Sequence, residues 1–194
     1  MIKEYYSRLF WGLLITFFDI RFNEFNLLPD FVGYIIIFSA LGGLTNYHDI
    51  FKKARPLAFV LIFLTIPDLY RGDPNLLAGA EGLLSYSMLE MGVNMISGII
   101  ELLLAYYIFE GTRILAVERE LKELAQQCHS RWKAYLIIRF LLLLGQPFIW
   151  NVPQGIILGG WILLGIGGFI IQILFIALIR TGSEEFHEDF TELE

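Results

Sequence analysis

Chemistry in this chain has few places to sit. Glu90, Asn94, Ser97 and Glu101 recur at i, i+4, i+7 and i+11 inside an otherwise apolar run, the spacing that gathers side chains on one face of a helix. Two carboxylates, an amide and a hydroxyl on one stripe can line a path for a solute or ion. Arg139 stands in a later apolar run, and Glu101 is its expected partner. Gln146, Asn151 and Gln172 are available to complete a polar interior. The competing reading is structural: a buried Glu–Arg pair can fix the register of two helices without meeting any ligand. Both readings start from the same cost, roughly 2.5–3.5 kcal/mol for an Asp, Lys or Arg placed mid-membrane on insertion scales.

A second group of charges sits at the joins between apolar runs. The stretch Thr16–Tyr34, TFFDIRFNEFNLLPDFVGY, crowds Asp19, Arg21, Glu24 and Asp30 into a polar hinge, and Asp68, Arg71, Asp73 and Glu81 form a similar cluster further on. If the runs that end at Asp19 and Asp68 stop below the membrane surface, these groups line a wet vestibule. As solvated loop ions they contribute little.

Enzyme chemistry has no support. His48, His129 and His187 all fall outside the apolar runs, so no mid-membrane general base or metal ligand is available. G-x-S-x-G, H-E-x-x-H, C-x-x-C and glycine-rich phosphate loops are all absent. No cofactor and no enzymatic activity are expected. Cys128, the single cysteine, excludes an internal disulfide framework.

The elements that position these residues follow from hydropathy. Of 194 residues 56% are hydrophobic and 18% charged, with mean hydropathy +0.61. A soluble domain averages about 45–50% apolar and about 25% charged residues, so lipid is the expected solvent. The net charge of -6 and the lack of a basic patch argue against nucleic-acid binding. Six apolar runs are read as spans: 5–22, 31–47, 57–70, 91–109, 134–150 and 155–179. Alternation at period two is absent, so the expected class is all-α, a polytopic bundle of six transmembrane helices. Lys3 and Arg8 precede the first run as in a signal peptide, but no small-residue cleavage site follows, and the run is read as a retained span. One set of joins holds Lys3, Arg8, Lys52, Lys53, Arg55, Arg113, Arg119, Lys122, Arg131, Lys133 and Arg180; the other holds Arg21 and Arg71. By the positive-inside rule, both termini are expected in the cytoplasm of a plasma-membrane protein.

Finer organisation is also legible. One constant offset carries Lys3 onto Lys52, Phe10 onto Phe59, Thr16 onto Thr65, Asp19 onto Asp68 and Gly33 onto Gly82, which reads as a tandem repeat of the first two hairpins. Residues 75–88 read as an interfacial or re-entrant segment. Residues 1–182 form the membrane domain, including a cytoplasmic connector over 113–132 whose Ile114, Val117, Leu121, Leu124 and Cys128 make one helical stripe, with Glu118/Lys122 and Arg119/Glu123 as pairs on the other faces. The acidic tail, 183–194, carries Phe186, Phe190 and Leu193 on one face. Stripe and tail are candidate surfaces for a protein partner or for self-association. Gly155 and Gly159 have the small-xxx-small spacing of close helix packing.

The segments Phe18-Asp19-Ile20-Arg21, Leu27-Leu28-Pro29-Asp30-Phe31-Val32-Gly33-Tyr34 and Phe51-Lys52-Lys53-Ala54-Arg55-Pro56 resemble small multi-pass membrane proteins of Gram-positive, spore-forming bacteria that share D-x-R…LLPD-x-x-GY and F-x-x-ARP. That resemblance is strongest over the first two hairpins and implies origin and topology, with no activity attached. In size, span number and cytoplasmic termini the chain also looks like the substrate-binding membrane subunits of energy-coupling-factor vitamin importers, an architectural likeness without a shared motif. The expected role is a small-solute or ion binding or transport component. The alternative is a non-transporting interaction protein that recruits a partner through connector and tail.

Overall fold

A computed structural model describes residues 2–17, 21–22, 25–26, 29–66, 88–148 and 154–188, with side chains over 2–17, 29–66, 91–147 and 159–186. Among the described residues there are six α-helices: α1 (Ile2–Phe17), α2 (Asp30–Leu44), α3 (Ile50–Thr65), α4 (Met88–Glu118), α5 (Lys122–Gly145) and α6 (Gln154–Glu188). A 3-10 turn, Gln146–Phe148, extends α5. The hinge between α1 and α2 holds a small antiparallel ladder, β1 (Arg21–Phe22) on β2 (Phe25–Asn26), in the register Arg21 with Asn26 and Phe22 with Phe25. Two residues per strand leave the class all-α.

Each helix turns one stripe inward. In α1, Ile2, Tyr6, Leu9 and Leu13 are buried while Lys3, Glu4 and Trp11 look out. In α3 the buried set is Phe51, Ala54, Ala58, Leu61 and Thr65, again at helical spacing. The offset that carries Lys3 onto Lys52 carries α1 to within a residue of α3; it brings buried Ile2, Leu9 and Gly12 onto buried Phe51, Ala58 and Leu61, but buried Tyr6 onto exposed Arg55.

The helices pack in a closed order: α1 on α2, α2 on α3, α3 on α4, α4 on α5, α5 on α6 and α6 back on α1. The tightest seam joins α1 to α2. A Cβ at Gly12 would stand 2.9 Å from the Gly33 carbonyl oxygen, and one at Gly33 2.8 Å from that of Gly12, so the two backbones meet where neither residue has a side chain. Of the expected small-residue pair in α6, Gly155 lies outside the residues whose side chains are described. Gly159 and Gly160 face open space, and α6 meets α5 lower down, with Gly167 against Ile138 and Gly168 against Leu142.

Two helical segments, 91–118 and 159–186, are long and apolar enough to cross a bilayer. Only 22% and 28% of their apolar windows is buried, so neither is the enclosed core helix of a soluble domain, and both point to membrane association. Helices α1, α2 and α3 have 16, 15 and 16 residues. They rise about 23–24 Å, short of a hydrocarbon core of about 30 Å. Helix α5 has the length but carries Lys122, Glu123, Arg131, Lys133 and Arg139 along it. Each of the six apolar runs overlaps a helix, while two helices meet the requirements of length and apolarity for a span.

The 113–132 connector differs from expectation. It is divided between two helices, because α4 stops at Glu118 and α5 starts at Lys122. Glu120 adopts φ 61°, Leu121 N–H donates to the Ala116 carbonyl at 2.8 Å, and Glu120 N–H to that of Val117 at 3.2 Å. That is a Schellman stop with glutamate where glycine is usual. The break falls between Glu118 and Lys122 and between Arg119 and Glu123, and within α4 Arg113 pairs with Glu110 at 2.5 Å. It also splits the stripe, leaving Val117 exposed and Leu124 and Cys128 buried.

The acidic tail likewise begins inside the bundle. Helix α6 runs through residue 183 to Glu188. Ser183 Oγ donates to the Lys3 carbonyl, and Phe186 is fully buried against Tyr6, ring centroids 4.9 Å apart, with the Arg119 guanidinium 5.3 Å from its ring. Phe190 and Leu193 lie outside the described residues.

Candidate functional site

The two ends of the ring differ. At the end that gathers Lys3, Lys52, Arg113 and Arg119, the interior is dry. Tyr6, Phe51, Phe109, Ala116, Leu124, Ile179 and Phe186 are buried there. Phe109 stacks on Phe175 at 4.4 Å, and Tyr6 donates to Thr112 at 3.1 Å. Toward the hinge end the interior becomes polar and opens into two cavities, of about 200 Å³ and about 60 Å³. Asp30, Glu101 and Arg139 line both.

All six helices contribute to these walls. Helix α4 brings Asn94, Ser97 and Glu101, three of the four residues read as one stripe, to the larger cavity. It joins Thr65 of α3, Arg139 of α5 and Gln146 of the turn that follows α5. Thr16 of α1, Asp30 and Tyr34 of α2, Tyr135 of α5 and Gln172 of α6 line the smaller one. The two threonines matched by the repeat offset thus face the polar interior from different helices. Each folds its hydroxyl back onto its own helix: Thr16 to the Leu13 carbonyl at 3.1 Å, Thr65 to that of Leu61 at 2.8 Å.

A polar chain crosses the ring. Tyr34 donates to Glu101 Oε1 at 2.9 Å. Glu101 Oε2 stands 3.9 Å from Arg139 Nη1. Arg139 Nη2 donates to Gln172 Oε1 at 3.1 Å, and Tyr135 donates to the same oxygen at 3.2 Å. The Arg139 guanidinium also lies 5.4 Å from the Tyr135 ring. The expected Glu101–Arg139 pair is therefore present but long. Side chains of Glu101 and Arg139 keep 30% and 32% of their accessible surface. Arg139 Nε and Gln146 Oε1 are buried with no hydrogen-bond partner among the described residues.

Of the other residues singled out from sequence, Asp30 is in the site. The side chains of Glu90 and Arg21, and the whole of Asp19, Asp68, Arg71 and Asn151, lie outside the described residues, as does most of the 75–88 segment. Tyr34 and Tyr135 were not anticipated. The available signal was a hydroxyl in an apolar run, which a search confined to charged and amide groups passes over. Among the described residues no three His, Cys, Asp or Glu side chains gather as metal ligands. Chemically, the arrangement offers two carboxylates, a guanidinium, amides and phenols around an open space.

No known protein family, no curated protein and no solved structure matches this chain.

Proposed function

We propose that the chain is a six-span membrane protein with both termini in the cytoplasm, and that its hinge-end chamber opens outward and binds a small polar solute as a binding or transport component. The resemblance over Asp19–Tyr34 and Phe51–Pro56 supplies the proposed family, and the large apolar side chains exposed around the ring, among them Trp11, Phe63, Phe140, Leu163 and Phe169, supply the proposed lipid-facing surface. One observation carries the reading: the Glu101–Arg139 pair lies beside open, polar-lined space where a pair serving helix register alone would be packed shut. Spans of 15–16 residues fit because short helices thin the bilayer or let flanking charges snorkel. The alternative, partner recruitment through connector and tail, loses Leu124, Cys128 and Phe186 from any exposed stripe.

The test is accessibility. In a Cys128→Ala background, Ser97→Cys expressed in cells is expected to react with a membrane-impermeant thiol reagent added outside. Protection of that thiol by a pool of small polar metabolites would identify the chamber as a binding site. A properly folded variant that stays unlabelled would show the space to be sealed and remove the reading.

A further inference from the structure

The donors and acceptors around the chamber are mismatched in a way that specifies a ligand. Arg139 carries five N–H donors on a planar fork and is always charged. Its Nη2 serves Gln172, its Nε is buried without an acceptor, and its Nη1 stops 3.9 Å short of Glu101, beyond hydrogen-bonding range. Glu101 is in the complementary condition: Oε1 accepts from Tyr34, and Oε2 has only that long approach to Arg139. Gln146 also lines this cavity, although its Oε1 is itself buried. One guanidinium, Arg139, and two carboxylates, Glu101 and Asp30, thus face a common space of about 200 Å³, and Arg139 and Glu101 do not close on each other.

From this we infer that the chamber takes a small zwitterion, its carboxylate on Arg139 and its ammonium or other cationic nitrogen on Glu101. The inference rests on the solute-binding reading above and names the class of solute. A monoanion drawn to Arg139 would meet the Glu101 carboxylate a few ångströms away, and a monocation drawn to Glu101 would meet Arg139. At such short range each like-charge contact is strongly unfavourable. A solute carrying both charges avoids both contacts and brings no net charge into the membrane interior. Arginine suits the carboxylate end because its fork binds it bidentately.

The experiment uses the full chain in lipid nanodiscs at fixed ionic strength. Glycine, β-alanine and γ-aminobutyrate are compared with n-propylammonium and with acetate and butyrate, by shift of Tm and by calorimetric Kd. At least one zwitterion is expected to raise Tm and to bind tenfold or more tighter than either singly charged class. Glu101→Gln is expected to weaken that zwitterion roughly 30-fold or more and to bring the carboxylates up toward it. The wild-type series decides even where the variant fails to fold. Equal or tighter binding of a singly charged probe overturns the zwitterion and leaves the chamber. Silence of all three classes with Ser97→Cys labelled also overturns it alone. Silence with Ser97→Cys sealed removes the solute-binding reading as well.

Discussion

At Glu101 the side chain is held by Tyr34 at 2.9 Å and is still about a third exposed, and those two facts fix what the tyrosine is worth. Removing the partner of a dry carboxylate strands it, at about 1–3 kcal/mol or more, whereas a wet chamber lets water take over. Tyr34→Phe is therefore expected to lower unfolding free energy by about 1 kcal/mol in denaturant titration; a loss above about 3 kcal/mol would mean the chamber is dry. Cys128 is the opposite case. Burial pushes its thiol from the usual value near 9 up to about 12, and the flanking Arg131 and Arg113 only partly oppose that. Thiolate is the reactive form. The native protein should label with a maleimide far more slowly at pH 8 than the unfolded chain does, its rate climbing about tenfold per pH unit up to about 12. The sign on stability follows. Below about 9 both states hold the proton; above it the unfolded chain loses the proton first, so this group's contribution falls as pH rises from about 9 toward 12. The acidic and basic members of the site were legible because charge in an apolar run is rare. The tyrosines were not, because an aromatic there has packing as its ordinary explanation.

Between residues and molecule, helix boundaries decide what a sequence pattern becomes. Ile114, Val117, Leu121, Leu124 and Cys128 keep a three-and-four spacing across 119–121, and nothing in that spacing reveals the stop. A glycine at position 120 would have announced it; Glu120 does not, though it takes the left-handed conformation and forms the same two capping bonds. For a residue with a side chain that conformation costs about 1–2 kcal/mol. Glu120→Gly relieves the strain, partly offset by the added freedom of the unfolded chain. A net gain of about 0.5–1 kcal/mol is expected, seen as a higher Tm with an unchanged helical signal. A loss of stability would mean that the Glu120 side chain has a role the backbone does not reveal. The glycine seam followed the same logic. Spacing alone nominated Gly155 and Gly159, but close approach needs glycines on both partners, and that condition is met by Gly12 and Gly33 on α1 and α2.

The ring as a whole is polar toward the hinge and sealed at its basic end. Its six members, but not their closure or the asymmetry between ends, could be read from the chain, since pairing across the ring depends on which helices become neighbours. The seal is made by the termini. The start of α1 and the end of α6 meet through Tyr6 on Phe186 and Lys3 on Ser183, and Thr112 of α4 completes the contact. In the proposed reading a solute in the chamber would have the Phe109 and Phe186 region between it and the basic end of the ring, where α6 closes on α1. Two accounts of the tail diverge here. As a partner-binding peptide, Phe186 would be dispensable for the fold; as the closing residue of the ring it is part of the core. Phe186→Ala is expected to lower unfolding free energy by about 3–5 kcal/mol, the usual cost of emptying a buried phenylalanine site. The same change should quicken hydrogen exchange first at Tyr6 and Thr112, while exchange around Ser97 at the far end is little altered. A variant of wild-type stability would return Phe186 to the surface and reopen the case for the tail as a recruiting segment.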